Sequence, residues 1–329
     1  MDHRNLKIAL IADELTRTCL KYECKVMDVT PLNYRFVLSL WRPDMLFVES
    51  AWQGRRNSWK YKIAAYPERP ERTNDALRKV VAYARDIGIP CVFWNKEDGV
   101  HFERFIASAA LFDYIFTVDV NCVDTYKSEI IRPVVVTTLP FAVQPKIHHP
   151  EASGYKYKRA CFVGSYSHHI HELRRQRQDM LFAASSEIGL TIFDRNSNRA
   201  SRNYRYPDLP GLEIRKSVAY DQTAQIYRDY MISLNVNTME DSPTMFSRRL
   251  IEILGCGGMA ITTPSDSVDK YFKDYCYVVK TEHEARELFR RLKDGLGKRE
   301  LEMTRAGAEY VLNNHTWAHR LNIILTVIS

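Results

Sequence analysis

The chain has 329 residues, of which 45% are hydrophobic and 26% charged, and its formal net charge is +7. This composition excludes a disordered or fibrous protein and provides enough sequence for two domains of ordinary size. No apolar run approaches the ~20 residues that cross a bilayer. The amino-terminal segment MDHRNLKIALIAD lacks the apolar core and cleavage site of a signal peptide. We therefore expect a cytoplasmic protein.

The cysteines are scattered along the chain, at positions 19, 24, 91, 122, 161, 256 and 276, and none has CxxC spacing. Thiols in or beside apolar runs behave as small hydrophobic groups, so the pattern indicates a reducing compartment rather than zinc or a disulfide framework. The net charge fits an anionic ligand such as a nucleotide diphosphate and also permits a nucleic-acid acceptor. A solvated surface without a partner is an alternative interpretation.

Short apolar runs alternate with amphipathic stretches through the first half of the chain. Strands are predicted at residues 6–13, 25–30, 45–50, 91–96, 114–119 and 134–141, and helices at 76–88, 101–112 and 122–130. Continuous Val, Ile and Phe runs are typical of a parallel sheet with helices on both faces. Residues 1–143 are therefore predicted to form one Rossmann-like domain.

Residues 144–159, QPKIHHPEASGYKYKR, are polar, contain two prolines and a glycine, and predict a linker. The alternation then restarts over residues 160–312. Strands are predicted at 160–165, 191–195, 213–218, 232–237, 259–264 and 277–280, and helices at 171–189, 220–230, 246–257 and 282–295. Two successive α/β units predict a ligand cleft between them, because such sheets bind ligands beyond the carboxyl ends of their strands.

The most informative segment is DSPTMFSRRLIEILGCGGMAITTP, residues 241–264. A loop with Ser242 and Thr244 precedes a predicted helix that carries Arg248, Arg249 and Glu252. Backbone amides at a helix N-terminus favour anions, and residues three apart on a helix share a face. An ordinary capped helix with an intrahelical ion pair and a glycine stop gives the alternative interpretation.

The block SPTMFSRRLIEILGCGGMAI resembles the signature of CgeB-like glycosyltransferases, a spore-maturation-associated branch near the retaining glycosyltransferase group 1/family 4. The resemblance implies the GT-B fold: two Rossmann-like α/β domains facing a cleft, with a C-terminal helix, residues 313–329, crossing back to the first domain. Glu252 resembles the residue that grips the donor ribose, and Arg249 matches a typical arginine. Thr244 stands where a second Glu is usual, so the resemblance predicts neither a retaining nor an inverting outcome.

Other positions extend the resemblance to a donor site for a nucleotide-diphosphate sugar. Phe162–Ser165 (FVGS) follows the linker, where such enzymes turn the first strand of the donor domain into a glycine loop, and Gly164 there would let the backbone approach a diphosphate. Asn235 and Asn237 end a strand predicted to face the cleft. A plain strand-to-loop glycine is an alternative interpretation of Gly164.

In the first domain, Trp94–Phe102 (WNKEDGVHF) follows a predicted buried strand. Glu97, Asp98 and His101 are candidate catalytic bases there, and the segment also resembles the family. Capping of the next helix by Glu97 or Asp98 is the alternative. Four residues at the ends of the first and third predicted strands are second-rank candidates for the acceptor side: Asp13, Glu14, Glu49 and Trp52. The alternatives are that Asp13 caps the next helix and that Trp52 packs in the core.

The remaining charged clusters are weaker signals. His168, His169 and His171 lack metal-ligand spacing, so no metal is predicted, and Arg174–Arg177 is interpreted as a solvated helix face. No contiguous basic stripe interleaved with aromatic residues is recognised that would indicate nucleic-acid binding.

Taken with the resemblance, the sequence predicts metal-independent transfer of a sugar from a UDP- or GDP-type donor, with no other cofactor. The acceptor is an unknown hydroxyl of a glycan, protein, small molecule or modified DNA base. The alternatives are a nucleotide-sugar epimerase and a non-catalytic sugar-nucleotide-binding or coat-assembly protein. A NAD dehydrogenase is disfavoured, because no GxGxxG follows the first strand.

Overall fold

A computed structural model describes residues 2–152 and 154–329 and divides the chain into two compact units. The first unit ends at Gln144 and takes in Thr316–Ser329, and the second is Pro145–His315. Within those described ranges, every helix is too short or too polar to cross a membrane.

The first unit is a parallel six-stranded sheet in the order β2-β1-β3-β4-β5-β6. Its strands are β1 (Lys7–Ile11), β2 (Lys25–Asp28), β3 (Met45–Glu49), β4 (Cys91–Asn95), β5 (Tyr114–Thr117) and β6 (Val135–Thr138). Its helices are α1 (Glu14–Leu20), α2 (Tyr34–Phe36), α3 (Asp75–Asp86), α4 (Phe102–Ala109) and α5 (Val123–Glu129), with α12 (Trp317–Ile328) from the C-terminus. All residues of β3 and β4 are buried, as expected for central strands covered on both faces.

The C-terminal helix α12 is bonded to the chain that follows β6. The Trp317 amide donates to the Val143 carbonyl at 3.1 Å. Arg320 donates through Nε to the Pro140 carbonyl at 2.8 Å and through Nη2 to the Phe141 carbonyl at 2.9 Å. The rings of Trp317 and Trp94 meet edge to face with 5.4 Å between centroids. These contacts explain why the last residues belong to the first unit.

The second unit is also a parallel six-stranded sheet, in the order β12-β11-β10-β7-β8-β9. Its strands are β7 (Tyr157–Gly164), β8 (Leu190–Asp194), β9 (Leu212–Lys216), β10 (Tyr230–Asn235), β11 (Ala260–Thr262) and β12 (Tyr277–Val278). Its helices are α6 (Glu172–Ala184), α7 (Thr223–Asp229), α8 (Arg248–Gly255), α9 (Asp266–Tyr271), α10 (Glu282–Leu292) and α11 (Lys298–Asn314). The core lies between the sheet and these helices, with Phe162, Leu181, Ile232 and Phe289 fully buried.

The predicted α/β class with two parallel sheets is confirmed, and all twelve predicted strands are present. Strand β7 begins at Tyr157, inside the segment that the sequence interpretation assigned to the linker. Its first residues are exposed, so they carry the polar composition of a loop although the backbone is already extended. Helix α11 was not predicted, because its charged and polar residues obscure the apolar period.

Candidate functional site

The strand order of the second sheet locates a ligand crevice within that unit. From β7 the chain proceeds outward to β8 and β9, and then crosses back to β10 on the other side of β7. The connections therefore leave β7 and β10 toward opposite faces, and doubly wound sheets bind ligands at the carboxyl ends beside such a switch point. Gly164 ends β7 and Asn235 ends β10, so both predicted donor residues lie at this position.

Arg249, in the first turn of α8, bridges these two strand ends. Its Nε donates to the Val163 carbonyl at 2.7 Å and its Nη1 to Oδ1 of Asn235 at 3.3 Å. The guanidinium carbon lies 4.4 Å from the centroid of the Phe162 ring. A Cβ on Gly164 would approach Nη2 of Arg249 to 2.9 Å and the Phe162 ring to 2.4 Å, so a glycine is required there.

Three further arginines lie within electrostatic range of Arg249: Arg174 on α6, Arg195 directly after β8, and Arg248 on α8. Burial, and then repulsion from Arg249, lowers the pKa of Arg174 to about 10. The pKa of Arg195 is also lowered, by partial desolvation and by repulsion from Arg248 and Arg249, although the residue as a whole is exposed to solvent. Burial likewise lowers the pKa of Arg249. Arg248 is paired with Glu252, whereas the other three arginines form no salt bridge with the described residues, so the group carries an excess of positive charge that an anion would balance.

Two buried polar atoms beside these arginines also lack partners. Within the described part of the chain, neither Nε of Arg174 nor Oη of Tyr206 has a hydrogen-bond partner. Tyr206 interacts electrostatically with Arg174, Arg195 and Arg249, so its hydroxyl belongs to the same group. Buried polar atoms are nearly always bonded, and unpaired ones at a switch point indicate a site built for a ligand.

Glu252 lies one turn further along α8 and is almost fully buried. Its Oε1 accepts from Tyr220 Oη at 2.9 Å and lies 2.9 Å from Nε of Arg248. The intrahelical ion pair that was the alternative interpretation is therefore present, and it joins Glu252 to Arg248 rather than to Arg249.

The other predicted donor residues are buried and bonded to neighbouring protein groups. Asn235 donates to Oγ1 of Thr262 at 2.8 Å, and Asn237 donates to the Thr263 carbonyl at 2.7 Å. The Ser242 hydroxyl accepts from the amides of Thr244 and Met245 at 3.4 and 3.0 Å. These contacts shape the strand ends and the loop before α8. Ser165 is partly exposed, and its carbonyl accepts from Gln178 at 3.1 Å.

A second cluster lies at the switch point of the first sheet, where β1 and β3 are adjacent and β4 follows. Lys96, after β4, contacts Oε1 of Glu49 at 2.9 Å and Oδ2 of Asp13 at 3.2 Å. Glu49 is fully buried and also accepts from the Asp13 amide at 2.8 Å. Burial raises the pKa of Glu49 despite Lys96. Burial also acts to raise the pKa of Asp13, but Lys96 and the Gly54 amide outweigh it and lower that pKa.

The structure gives Asp13 a different role from the predicted cap. Asp13 precedes α1, but its side chain makes no capping hydrogen bond. It accepts instead from the amides of Trp52, Gln53 and Gly54, at 3.4, 3.3 and 2.9 Å, and so holds the loop after β3. Glu14 is exposed and pairs with Arg17 at 3.3 Å.

Asp98 is fully buried among polar groups rather than capping α4. It accepts from Asn95 at 2.5 Å and from Tyr126 Oη at 2.9 Å. Burial raises the pKa of Asp98 to about 7, against the hydrogen bonds from Thr117 and Tyr126 that lower it. Glu97 is partly exposed.

His101 and Trp52 pack together at the start of α4. Their ring centroids are 5.3 Å apart, and Trp52 also meets Phe105 at 5.1 Å. Trp52 is thus a packing residue, as its alternative interpretation held. Burial and the nearby Arg104 lower the pKa of His101, so its imidazole is neutral at neutral pH.

A cavity of about 510 Å³ in the second unit lies away from the predicted donor residues. Its lining includes Tyr230 and Met231 at the start of β10 and Gly258 and Met259 before β11. These are the amino ends of the strands, whereas Arg249 and Gly164 lie at the carboxyl ends. The cavity and the arginine cluster therefore lie at opposite ends of the strands. Over residues 2–152 and 154–329, no three His, Cys, Asp or Glu side chains are grouped so as to hold a metal ion.

Sequence interpretation missed several residues of the two clusters. Arg174 was assigned to a solvated helix face, which is wrong, because the side chain is half-buried and its Nε is enclosed. Arg195 and Tyr220 were not selected. A signal existed for Arg195, since it is the last residue of the strand predicted at 191–195, and this architecture places ligand contacts at strand ends. Lys96 was counted among the titratable residues of its segment but not chosen as a site residue.

Comparison with known proteins agrees with this architecture. Residues 170–326 match the family described as glycosyl transferase-like. No curated protein matches the sequence.

Solved structures match at low sequence identity. An α-glucosyltransferase in complex with UDP and a 13-mer DNA containing an HMU base has a TM-score of 0.65 and 11% identity, over 98% of this chain and 99% of that one. T4 phage BGT in complex with UDP and Mn²⁺ has a TM-score of 0.57 and 10% identity, over 94% of both chains. Sucrose-phosphate synthase from Thermosynechococcus elongatus has a TM-score of 0.54 and 11% identity, over 95% of this chain and 78% of that one.

The chain therefore has the α/β fold of GT-B glycosyltransferases, and its residues 170–326 are similar to the glycosyl transferase-like family.

Proposed function

We propose that this protein transfers a sugar from a nucleotide-diphosphate donor to a hydroxyl acceptor. The observation that carries the proposal is the group of four arginines at the switch point of the second sheet. A diphosphate is a compact dianion that can accept hydrogen bonds from several guanidinium groups at once. Such a ligand would balance the positive charge that remains after Arg248 has paired with Glu252.

The proposed donor pose places the diphosphate against Arg249, Arg195 and Arg174, close to the Gly164 backbone. Gly164 has no side chain to fill the space over the guanidinium of Arg249. Glu252, which Tyr220 and Arg248 hold in place, would accept hydrogen bonds from the ribose hydroxyls. The buried Asn235 supports this arrangement indirectly, because its amide oxygen fixes Arg249.

Bond cleavage between the sugar and the diphosphate puts negative charge on the leaving oxygen. Fixed guanidinium groups stabilise that developing charge in the transition state without reorganising. The arginine cluster would do so without a metal, and metal independence remains a prediction. It is tested by assaying the purified protein with and without EDTA.

The first unit is proposed to serve the acceptor. His101 is half-buried with a lowered pKa, so its neutral imidazole can take the acceptor proton. Glu97, partly exposed, is the second candidate for the base, whereas Asp98 is enclosed and its neighbours engage both carboxylate oxygens. Replacing His101 with Gln should lower kcat by about 10²–10⁴-fold with little change in donor affinity.

UDP is the nucleotide we favour, because two of the similar structures contain it. We assign the chain to the CgeB-like branch on the block of residues 242–261. A cytoplasmic location accords with its seven cysteines, which are all free and buried.

The first test is thermal-shift and calorimetric titration with UDP-, GDP-, dTDP-, ADP- and CMP-sugars. The wild type, Glu252→Ala and Arg249→Ala are compared, with Arg202→Gln as control, because Arg202 is exposed and forms no salt bridge with the described residues. One donor should raise the melting temperature of the wild type and the control, and both site variants should abolish that rise. No shift with any donor at millimolar concentration would contradict the proposal.

The alternatives share the donor site and differ in the product. Incubation with a labelled donor and candidate acceptors separates them: transfer gives a labelled acceptor, epimerisation gives an altered sugar, and a binding protein leaves the donor intact. Binding without any turnover would favour the sugar-nucleotide-binding alternative.

A further inference from the structure

The loop between β3 and α3 in the first unit has an unusual charge. Residues 55–72, RRNSWKYKIAAYPERPER, contain six Lys or Arg and two Glu, a net charge of +4 within a chain whose total is +7. We refer to this segment as the basic loop. The expectation that the chain lacks basic residues interleaved with aromatic ones is wrong here, because RRNSWKYK has that composition.

Buried side chains and main-chain bonds hold the basic loop against the core. Trp59 is buried, and its Nε1 donates to the Val29 carbonyl at 2.7 Å. Ile63 is also buried, and its carbonyl accepts from the Ser108 hydroxyl at 2.6 Å. The Ala65 amide donates to the Arg104 carbonyl at 2.6 Å. The basic side chains between these anchors are therefore presented from a defined backbone.

Most cations of the loop have no anionic partner. Arg55 pairs with Asp28 at 2.5 Å, and Glu68 pairs with Arg104 outside the loop at 3.3 Å. The other five cations form no salt bridge with any residue that the structure describes; they are Arg56, Lys60, Lys62, Arg69 and Arg72. Unpaired cations of one sign on an ordered surface fit a polyanion.

An aromatic pair orients one of these cations. The guanidinium carbon of Arg72 lies 3.8 Å from the centroid of the Tyr61 ring and 5.2 Å from that of Tyr66. The two rings meet edge to face at 5.3 Å, and Nζ of Lys60 lies 4.9 Å from the Tyr61 ring. A stacked guanidinium keeps its N–H edge available for a phosphate, and a partly exposed tyrosine can also meet a base.

The backbone of the basic loop is strained at three positions. Arg56, Asn57 and Tyr61 have φ values of 51°, 61° and 64°, in the left-handed region that side chains other than glycine rarely adopt. They are three of the five non-glycine residues in that region among those the structure describes. Backbone strain of this kind clusters at ligand-binding segments.

We propose that the basic loop binds the phosphodiester backbone of a nucleic acid. A lipid surface fits less well, because the apolar side chains of the loop point into the core and Tyr61 is its only exposed large hydrophobic residue among those described. That this nucleic acid also carries the acceptor hydroxyl rests on the function proposed above. Binding of the nucleic acid by the basic loop does not. The test therefore measures binding alone.

Fluorescence anisotropy with labelled DNA of about 20 nucleotides, single-stranded and duplex, at several salt concentrations tests the proposal. The loop variant combines Arg56→Gln, Lys60→Gln and Arg69→Gln. The control variant removes the same charge from three exposed cations of the second unit: Lys273→Gln, Lys293→Gln and Arg299→Gln. The loop variant should bind at least about tenfold more weakly. Its negative slope of log affinity against log salt should become shallower by about 2 for single-stranded DNA and about 3 for duplex, as for three lost phosphate contacts.

The control variant should bind like the wild type. No binding by the wild type at low salt, or an equal loss in both variants, would overturn the proposal. If the wild type bound phosphatidylglycerol vesicles as tightly as DNA, and the loop variant lost that vesicle binding, nucleic acid would be overturned as the partner. Melting temperatures and the donor-induced shift should be unchanged in the loop variant, so failure here is distinguishable from failure of the proposed function.

A second variant, Tyr61→Asn, keeps the charge and removes the ring, and Asn tolerates the left-handed backbone. Its binding to single-stranded DNA should weaken more than its binding to duplex DNA, because exposed bases lose a stacking partner. Unchanged binding of both forms would overturn the part assigned to the aromatic pair.

Discussion

Arg249 and Gly164 are matched across the switch point of the second sheet. A Cβ at position 164 would lie 2.9 Å from Nη2 of Arg249, so only glycine at the end of β7 leaves the guanidinium in its place over the Phe162 ring. Arg249 in turn is fixed by the Val163 carbonyl at 2.7 Å. The anion site therefore depends on a missing side chain as well as on a charge.

Replacement of Gly164 by Ala should displace Arg249 and weaken donor binding by at least about tenfold. Overpacking at this position should also lower the free energy of unfolding by about 1–3 kcal/mol. Gly154→Ala is the matched control, because nothing lies within 4 Å of a Cβ there. Calorimetric titration with the donor and urea unfolding measure the two effects. Wild-type donor affinity in Gly164→Ala would contradict the role assigned to this glycine.

Arg195→Gln should separate stability from binding. Removing one of four like charges relieves repulsion, so the melting temperature without ligand should stay the same or rise. The donor-induced rise in melting temperature should shrink, because one guanidinium no longer meets the diphosphate. Arg202→Gln, at an exposed position, should change neither quantity. A lower melting temperature together with an undiminished ligand shift would show that Arg195 is structural.

The fold was predictable because each strand is encoded locally. Buried strands such as β3 and β4 are continuous apolar runs, and their ends fall where polar residues begin. The same rule located Gly164 and Asn235, since residues that follow strands meet at one edge of a parallel sheet. Arg249 was predicted from its spacing on α8 and from the family resemblance.

The convergence of the arginines was not predictable in this way. Arg174 lies on α6 and Arg195 follows β8, so only the strand order and helix packing show that both face Arg249. Likewise, Lys96 meets Asp13 and Glu49 because three separate strands end side by side. Sequence spacing carries no information on such long-range pairs, whereas it does show the charge of the basic loop.

Lys96→Met should destabilise the protein strongly. It removes the cation between Glu49, which is fully buried, and Asp13, and breaking a buried ion pair costs about 3–5 kcal/mol. Without Lys96 the pKa values of both carboxyl groups should rise in the folded state above those of the unfolded chain.

As the pH decreases, the folded variant would bind protons more readily than its unfolded chain, and this protonation would restore part of the lost stability. The loss of stability should therefore be larger at pH 8 than at pH 5. Urea unfolding at both pH values measures this difference, with Lys79→Met on the exposed face of α3 as control. A loss that is the same at both pH values would contradict the electrostatic explanation.

Asp98 should make the stability of the folded protein depend on pH. Its pKa is raised to about 7 by burial, above the ordinary value of 3.8. Between these two values the folded state holds a proton that the unfolded chain has released. Stability contributed by the neutral carboxyl group is therefore present at low pH and lost as the pH rises through 7, by roughly 4 kcal/mol in all.

Asp98→Asn removes this titration and keeps an oxygen that can accept from Tyr126, whose hydroxyl lies 2.9 Å from the native carboxylate. The difference in free energy of unfolding between wild type and Asp98→Asn should therefore shift in favour of the variant as the pH rises from 4.5 to 7.5. Comparing the two proteins cancels the groups that titrate in both. Parallel pH profiles would mean that Asp98 ionises in the folded protein as readily as in the unfolded chain, and that its buried hydrogen bonds stabilise the charged form.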